Sequence, residues 1–256
     1  MKILGKIRNA YLYLEALVFD KRAIDSTLPR PKYFNHLKGI DWMVDKFDRN
    51  GVTILEIGSK EVTGKSIIKP KLLKAKYIGI DISEGENVDI VCDAHELSKF
   101  VKKNSIDCVY SASVFEHLYA PWIVAEEISK ILKKGGYVCI ETVFNFKTHE
   151  RPWNFFHFSD LGLKVLFNKE FGFKCIDSGL DLPIRGRFSL FSPKYLRMKE
   201  VYGMMSHSYY VGEKISNFKP EKNSGSFNWL RANPSILNKN DKYPSKKDNT
   251  NRKKLA

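Results

Sequence analysis

Residues 53–64 read TILEIGSKEVTG, and the reading of this stretch decides the fold. The apolar pair Ile54-Leu55 leads into the acid Glu56, one more apolar residue and a turn that opens at Gly58. That is the pattern of a buried strand ending in a loop that approaches a ligand. Glycine at the bend has no Cβ, so backbone N–H groups can come close to a bound molecule, while a carboxylate at the strand's end accepts bonds from ammonium or hydroxyl groups. A dinucleotide loop would read GxGxxG; the chain offers Gly58, Lys60 and Gly64 instead, and it only narrowly misses the phosphate-binding pattern GxxxxGK[ST].

Outward from this stretch, apolar or β-branched runs recur at 77–82 (YIGIDI), 88–92 (VDIVC), 107–112 (DCVYSA) and 137–143 (YVCIETV). The clearest helix spans 121–134, opens on a proline, turns Ile123, Val124, Ile128, Ile131 and Leu132 inward, and stops at Gly135-Gly136. Near-continuous apolar strands alternating with helices form a parallel sheet covered on both faces. Between Ser59 and Tyr77, Pro70 and a crowd of lysines leave room only for a short or irregular helix. Further helices are expected at 3–18, about 38–48 and 160–170, and further strands at 172–184 and 208–216. The chain divides into an N-terminal helical extension (1–50), a main domain (51–216) and a tail (217–256).

The 256 residues carry 43 Lys and Arg against 29 Asp and Glu, a net +14. The tail alone holds ten basic and three acidic side chains, half of that excess, with almost no apolar periodicity. Such a segment cannot bury enough surface to offset its ordering entropy and is expected to be disordered. Cys92, Cys108, Cys139 and Cys175 are scattered without a CxxC spacing, as expected of a reducing cytoplasm without structural zinc. No apolar run reaches the ~18 residues of a membrane span. The basic, amphipathic segment 3–18 either covers the host domain or lies on an anionic membrane surface; Glu15 and the lack of a small-residue cleavage site argue against a secretion signal.

Three acids stand at strand ends: Glu56 on the first, Asp81 on the second and Asp93 on the third. In a doubly wound sheet these ends line one crevice beside the switch point. Three acids on one rim suit a ligand with an ammonium group, ribose hydroxyls and an exocyclic amine.

These segments resemble the class I S-adenosylmethionine-dependent methyltransferases, of the type-11 group. The resemblance runs through ILEIGS (54–59), YIGIDIS (77–83), VDIVCDAHEL (88–97), DCVYSASVFEHL (107–118) and AEEISKILKKGGYVCIET (125–142), roughly residues 50–145 in order. It implies a Rossmann-like α/β fold, doubly wound, with a seven-stranded, mostly parallel sheet whose last strand is antiparallel. It further implies S-adenosylmethionine as cofactor, with the Glu56–Gly58–Ser59 turn holding its methionine part. Asp81, with Ile82 beside it, would take the ribose, and Asp93 with Ala94 the adenine. Ser111 and Ser113 would line the crevice beside the sulfonium. The family's usual second glycine after Gly58 is Lys60 here, so the loop is expected to approach the cofactor differently.

Candidate bases are His117, just past the fourth strand, and His149 and His157, which bracket the loop HERPWNFFHFS (149–159), because histidine changes charge nearest neutral pH. A His117/His149/Glu150 set has no recognised ligand spacing, so no metal is expected. Trp153, Phe155, Phe156 and Phe158 are an acceptor wall, a water-excluding lid or ordinary core. That loop and the closing VGEKI resemble a narrower set linked to surface-polysaccharide biosynthesis. The expected reaction is O-methylation of a small-molecule or sugar hydroxyl in a glycan precursor, in the cytoplasm or at the inner membrane face. The alternatives are a nucleic-acid methyltransferase and a non-catalytic, membrane-associated module. Nucleic acid is the weaker partner, because the basic residues concentrate in the tail and SASVFEHL stands where a base-methylating [ND]PP[YFW] motif would be.

Overall fold

The computed structural model describes residues 2–217 apart from 24–26, 37 and 63, so the expected tail disorder lies outside the described residues, save at 217. The chain divides into two units, Met1–Phe218 and Lys219–Ala256. In the first unit the strands are β1 (Thr53–Ile57), β2 (Lys76–Asp81), β3 (Ile90–Val91), β4 (Ile106–Ala112), β5 (Leu132–Val143), β6 (Phe173–Pro183), β7 (Gly186–Arg187), β8 (Glu200–Val201) and β9 (Met205–Lys214). The helices are α1 (Lys2–Ala23), α2 (Gly39–Phe47), α3 (Leu97–Phe100), α4 (Pro121–Ile131) and α5 (Asp160–Leu166).

Seven strands form one sheet in the order β3-β2-β1-β4-β5-β9-β6, while β7 and β8 make a small separate ladder. β1 pairs in parallel with both β2 and β4, and β9 runs antiparallel between β5 and β6. This is the α/β, Rossmann-like sheet expected from the sequence, mostly parallel with the last strand reversed.

Alternation along β1 distributes its side chains to two cores. Leu55 and Ile57 join Val109, Val138 and the Val124, Ile128 and Ile131 stripe of α4. Ile54 turns to the other face, with Cys108, Cys139, Tyr209 and the Met43 and Phe47 of α2. Burying each such side chain is worth about 1.5–3 kcal/mol against leaving it exposed.

The boundary between α4 and β5 differs from expectation. The helix ends at Ile131, and Leu132 already pairs with Ile106 in the sheet. Lys133 does not continue the last helical turn; its Nζ donates to both carboxylate oxygens of Asp107, at 2.8 and 2.7 Å. In the irregular segment after β1 the described residues hold only a 3₁₀ turn at Lys69–Lys71, with Pro70 inside it. Among the described side chains of α1, Tyr11, Leu12, Tyr13, Leu14 and Leu17 are exposed, and Glu15 pairs with Arg185 at 3.1 Å. All four cysteines are free thiols. No helix among the described residues is long and apolar enough to cross a membrane.

Candidate functional site

The turn after β1 is held in place from below. Gly58 adopts φ +78°, and a Cβ there would meet Val114 Cγ2 at 2.2 Å. The Gly58 and Ser59 N–H groups both donate to the Ile80 carbonyl, at 2.9 and 3.0 Å, which ties the turn to β2. Ser59 is buried and its Oγ has no hydrogen-bond partner. Asn87 Nδ2 donates to the Ser59 carbonyl and to the Tyr77 hydroxyl, and that hydroxyl donates to Glu56 Oε2.

Burial pushes the Glu56 carboxyl up to about 7, against the bond from Tyr77 that favours its charged form; Glu61 adds to the rise and Lys69 opposes it. A carboxyl with a raised folded-state pKa contributes most to stability below its unfolded value, and loses that contribution as pH rises through the folded value. Glu56→Gln stays neutral throughout. It is therefore expected to be more stable than the parent by about 2–3 kcal/mol at pH 8 and about equal at pH 4.5. Urea unfolding at the two pH values checks this, and a difference that does not change with pH sinks it.

Asp81 is the last residue of β2. Its Oδ1 accepts from the Ser83 N–H and hydroxyl, at 3.0 and 3.2 Å, and its Oδ2 from the Lys60 N–H at 3.4 Å. The Lys60 side chain lies across Gly85, where a Cβ would meet it at 2.8 Å, and its Nζ donates to Ser83 Oγ. Ile82 is exposed and Ala94 buried. Asp93 caps the short turn that follows β3; its Oδ1 accepts from the His95 N–H at 2.9 Å and from the His95 ring at 2.6 Å. Burial pushes the Asp93 carboxyl up, but the bonds and charge of His95 outweigh it and leave Asp93 below the usual range. The His95 ring also stacks on Tyr119, with centroids 4.0 Å apart.

Strand register brings these groups to one edge. Ile57 lies opposite Ile80 and Ser111, and Asp81 lies opposite Val91. Glu56, Asp81 and Asp93 thus sit at the C-terminal ends of adjacent strands, on one side of the point where the strand order reverses. Ser111 is fully buried and donates to the Ile57 carbonyl across that point. Ser113 is exposed, with φ +53°.

Beyond β4 lies a cavity of about 130 Å³ lined by Phe34, His36, Tyr110, Ser113, Glu141 and His207, among others. Glu141 is 8% exposed, and its Oε1 accepts from His36 Nδ1 at 2.8 Å and from the Tyr209 hydroxyl at 3.3 Å. His207 Nδ1 is buried without a partner, and burial pushes that imidazole below its ordinary value. His36 arrives on a strap laid over β6: buried Asp177 accepts from the N–H groups of Lys32, Tyr33 and Phe34, and Pro29 accepts from Leu180. A Cβ on Gly179 would meet Pro31 N at 2.5 Å, so the close approach of the strap depends on that glycine. The sequence reading missed His36, Glu141 and His207, which come from three distant segments; the only local signal was the pair of prolines that makes the strap extended.

Of the three histidines expected as bases, His117 and His149 are brought together and His157 is not among that cluster. His117 Nδ1 donates to the Trp153 carbonyl at 2.6 Å, and the His117 and His149 rings touch edge to face at 4.9 Å. His157 is exposed. In the aromatic loop, Phe158 belongs to the core and Phe156 packs against it, whereas Trp153 and Phe155 are 62% and 42% exposed.

The strand order defines a Rossmann-like α/β protein with Glu56, Asp81 and Asp93 at adjacent C-terminal strand ends. Residues 55–140, a third of the chain, match the family described as a methyltransferase domain, type 11. Among curated proteins none matches the chain. Similar solved structures include a carbon methyltransferase, CurJ, at 16% identity and TM-score 0.47, covering 70% of this chain and 52% of that one. The 1,6-didemethyltoxoflavin-N1-methyltransferase of Burkholderia thailandensis, solved with S-adenosylhomocysteine, is 11% identical, with 69% and 76% covered and TM-score 0.49. A SAM-dependent methyltransferase from Archaeoglobus fulgidus is 16% identical, with 68% and 91% covered and TM-score 0.49. This chain spans about half the length of the CurJ structure.

Proposed function

We propose that the protein is an S-adenosylmethionine-dependent methyltransferase acting on a hydroxyl of a small acceptor, with a sugar or glycan precursor as the favoured class. The observation that carries this reading is the placement of Glu56, Asp81 and Asp93 on three adjacent strand ends. Across β4 from them lies the separate cavity lined by His36 and Glu141.

The residues present fit the cofactor. Buried Ser59 Oγ and Asn87 Oδ1 have no partners and lie beside the tight turn at Gly58, where a side chain would clash. In this reading Glu56 faces the ammonium, Asp81 the ribose hydroxyls and Asp93 with Ala94 the adenine. The cofactor, when bound, supplies an electrophilic methyl group on a sulfonium centre. The chain's part is to align the acceptor, since positioning alone is worth up to ~7–11 kcal/mol of barrier.

On the acceptor side, Glu141 takes the Nδ1 proton of His36 into a hydrogen bond and so leaves Nε2 with the lone pair needed to accept a hydroxyl proton. That pair joins His117, His149 and His157 as a candidate base. The cavity is below the ~300 Å³ of ordinary ligand pockets, which suits one ring-sized group better than a polymer. Peripheral contact with an anionic membrane, where a lipid-linked precursor would be presented, rests in this reading on the net +14 charge; the exposed Tyr11, Leu12, Tyr13, Leu14 and Leu17 of α1 fall at successive positions and do not form the single apolar face expected from the sequence.

Calorimetric titration with S-adenosylhomocysteine tests the reading. The wild type is expected to bind, and Asp81→Ala to bind ten- to a hundredfold more weakly, since bonds involving a charged group contribute about 1.5–3 kcal/mol. A wild type that shows no binding overturns it.

A further inference from the structure

On the far side of the β4 end, one carboxylate oxygen of Glu116 and one ring nitrogen each of His117 and His149 lie within 4.8 Å of one another. We propose that these three residues bind a divalent transition metal ion, with zinc the best match to the donor set. The inference does not rest on the methyl-transfer reading, and an ion here takes His117 and His149 out of the set of candidate bases.

Glu116 supplies the first argument. Its side chain is fully buried, Oε2 accepts from the Thr142 hydroxyl at 2.7 Å, and Oε1 has no hydrogen-bond partner at all. An ionised carboxylate oxygen in such a place is costly unless a cation or donor faces it. The imidazoles of His117 and His149 are two of the groups close to this carboxylate.

The imidazoles supply the second. His117 Nδ1 lies 2.6 Å from the Trp153 carbonyl and His149 Nδ1 lies 3.1 Å from the Lys147 carbonyl. A carbonyl only accepts, so both rings donate from Nδ1, which leaves Nε2 as the nitrogen that can offer a lone pair to an ion. A ring fixed by a backbone carbonyl through one nitrogen, with the other left to coordinate, is the usual arrangement of a metal-binding histidine.

Glu150 adds a third observation. Its Oε2 stands 3.6 Å from His117 Nε2, too far for a hydrogen bond. Two ligands on a tetrahedral ion with bonds of ~2.0–2.1 Å stand roughly 3.4 Å apart; Glu150 comes that close to His117 alone and lies outside the set of donors that are all within 4.8 Å of one another, so its exposed carboxylate flanks an open position. Two nitrogens with one carboxylate oxygen favour zinc over magnesium or calcium, which prefer oxygen alone. The ion would clip the aromatic loop to the turn after β4, a junction already made by the Phe155 and Phe156 N–H groups donating to the Glu116 carbonyl. Thr142 follows Glu141 on β5, so this cluster and the His36–Glu141 pair approach that strand from opposite faces.

The test uses the full chain, stripped with a chelator and titrated with Co²⁺ as a spectroscopic substitute. One equivalent is expected, with the intense visible bands of a tetrahedral site, displaced by one equivalent of Zn²⁺. His149→Ala, at a half-buried residue of an otherwise mostly exposed loop, and Glu116→Gln are each expected to weaken binding more than tenfold, while exposed His157→Ala leaves it unchanged. Circular dichroism establishes that each variant is folded; should Glu116→Gln fail to fold, His149→Ala decides. The proposal is overturned if the wild type takes up no equivalent of metal, or if folded His149→Ala binds as the wild type does.

Discussion

Gly58→Ala is expected to destabilise the ligand-free protein by about 2–5 kcal/mol, the sum of a left-handed backbone penalty of ~1–2 and an overpacking cost of ~1–3 kcal/mol. Both terms come from the same bend: φ is +78°, and the added Cβ would lie 2.2 Å from Val114 Cγ2. The two can be separated. Val114→Ala removes the obstructing methyl and leaves the backbone term, so the double variant is expected to be less destabilised than the sum of the singles. Urea unfolding of the four proteins measures this. Strict additivity, or a cost for Gly58→Ala below ~1 kcal/mol, would show that the turn is not closed as described.

The second large effect is expected at Lys214, at the end of β9. Its side chain is 1% exposed, and Nζ donates to the Ser129 carbonyl at 2.5 Å, the Leu132 carbonyl at 2.6 Å and Asn104 Oδ1 at 3.0 Å. It thereby satisfies carbonyls at the C-terminus of α4, where a cation also complements the helix dipole. Lys214→Met keeps most of the volume but takes the ammonium from the two buried carbonyls, whereas exposed Asn104 can turn to water. A loss of about 3–5 kcal/mol is expected, since each unsatisfied buried acceptor costs roughly 1–3 kcal/mol. Denaturant unfolding measures the loss, and hydrogen exchange should report opening of the last turn of α4. A loss below ~1 kcal/mol would mean that water replaces the ammonium.

What was legible in the sequence was what is local. Glu56, Asp81 and Asp93 each follow their own apolar run, and a parallel ladder then sets the three side by side. The irregular path after β1 was equally readable, because Pro70 forbids a full helix there. Lys214 was not readable as buried: within VGEKIS it looks like the polar end of a closing strand, and its acceptors lie 82, 85 and 110 residues away. The end of α4 was misplaced for a related reason. Lys133-Lys134 before two glycines is a good helix stop, yet Asp107 draws Lys133 into the strand that follows. His36 meets Glu141 across 105 residues, and no periodicity in the strap announces it.

The antiparallel strand has a consequence for how the chain is made. β9 is the last strand along the described chain but sits inside the sheet, with β5 on one side and β6 on the other. During synthesis both neighbours emerge first, each with an open row of N–H and C=O groups facing an empty slot. Until Met205–Lys214 fills it, the nascent protein holds two unpaired edges and an α4 whose last carbonyls lack their ammonium. Such edges are templates for pairing with other chains. Completion of the fold is therefore a late, long-range closure, and the interval before it is when this protein is most exposed to aggregation.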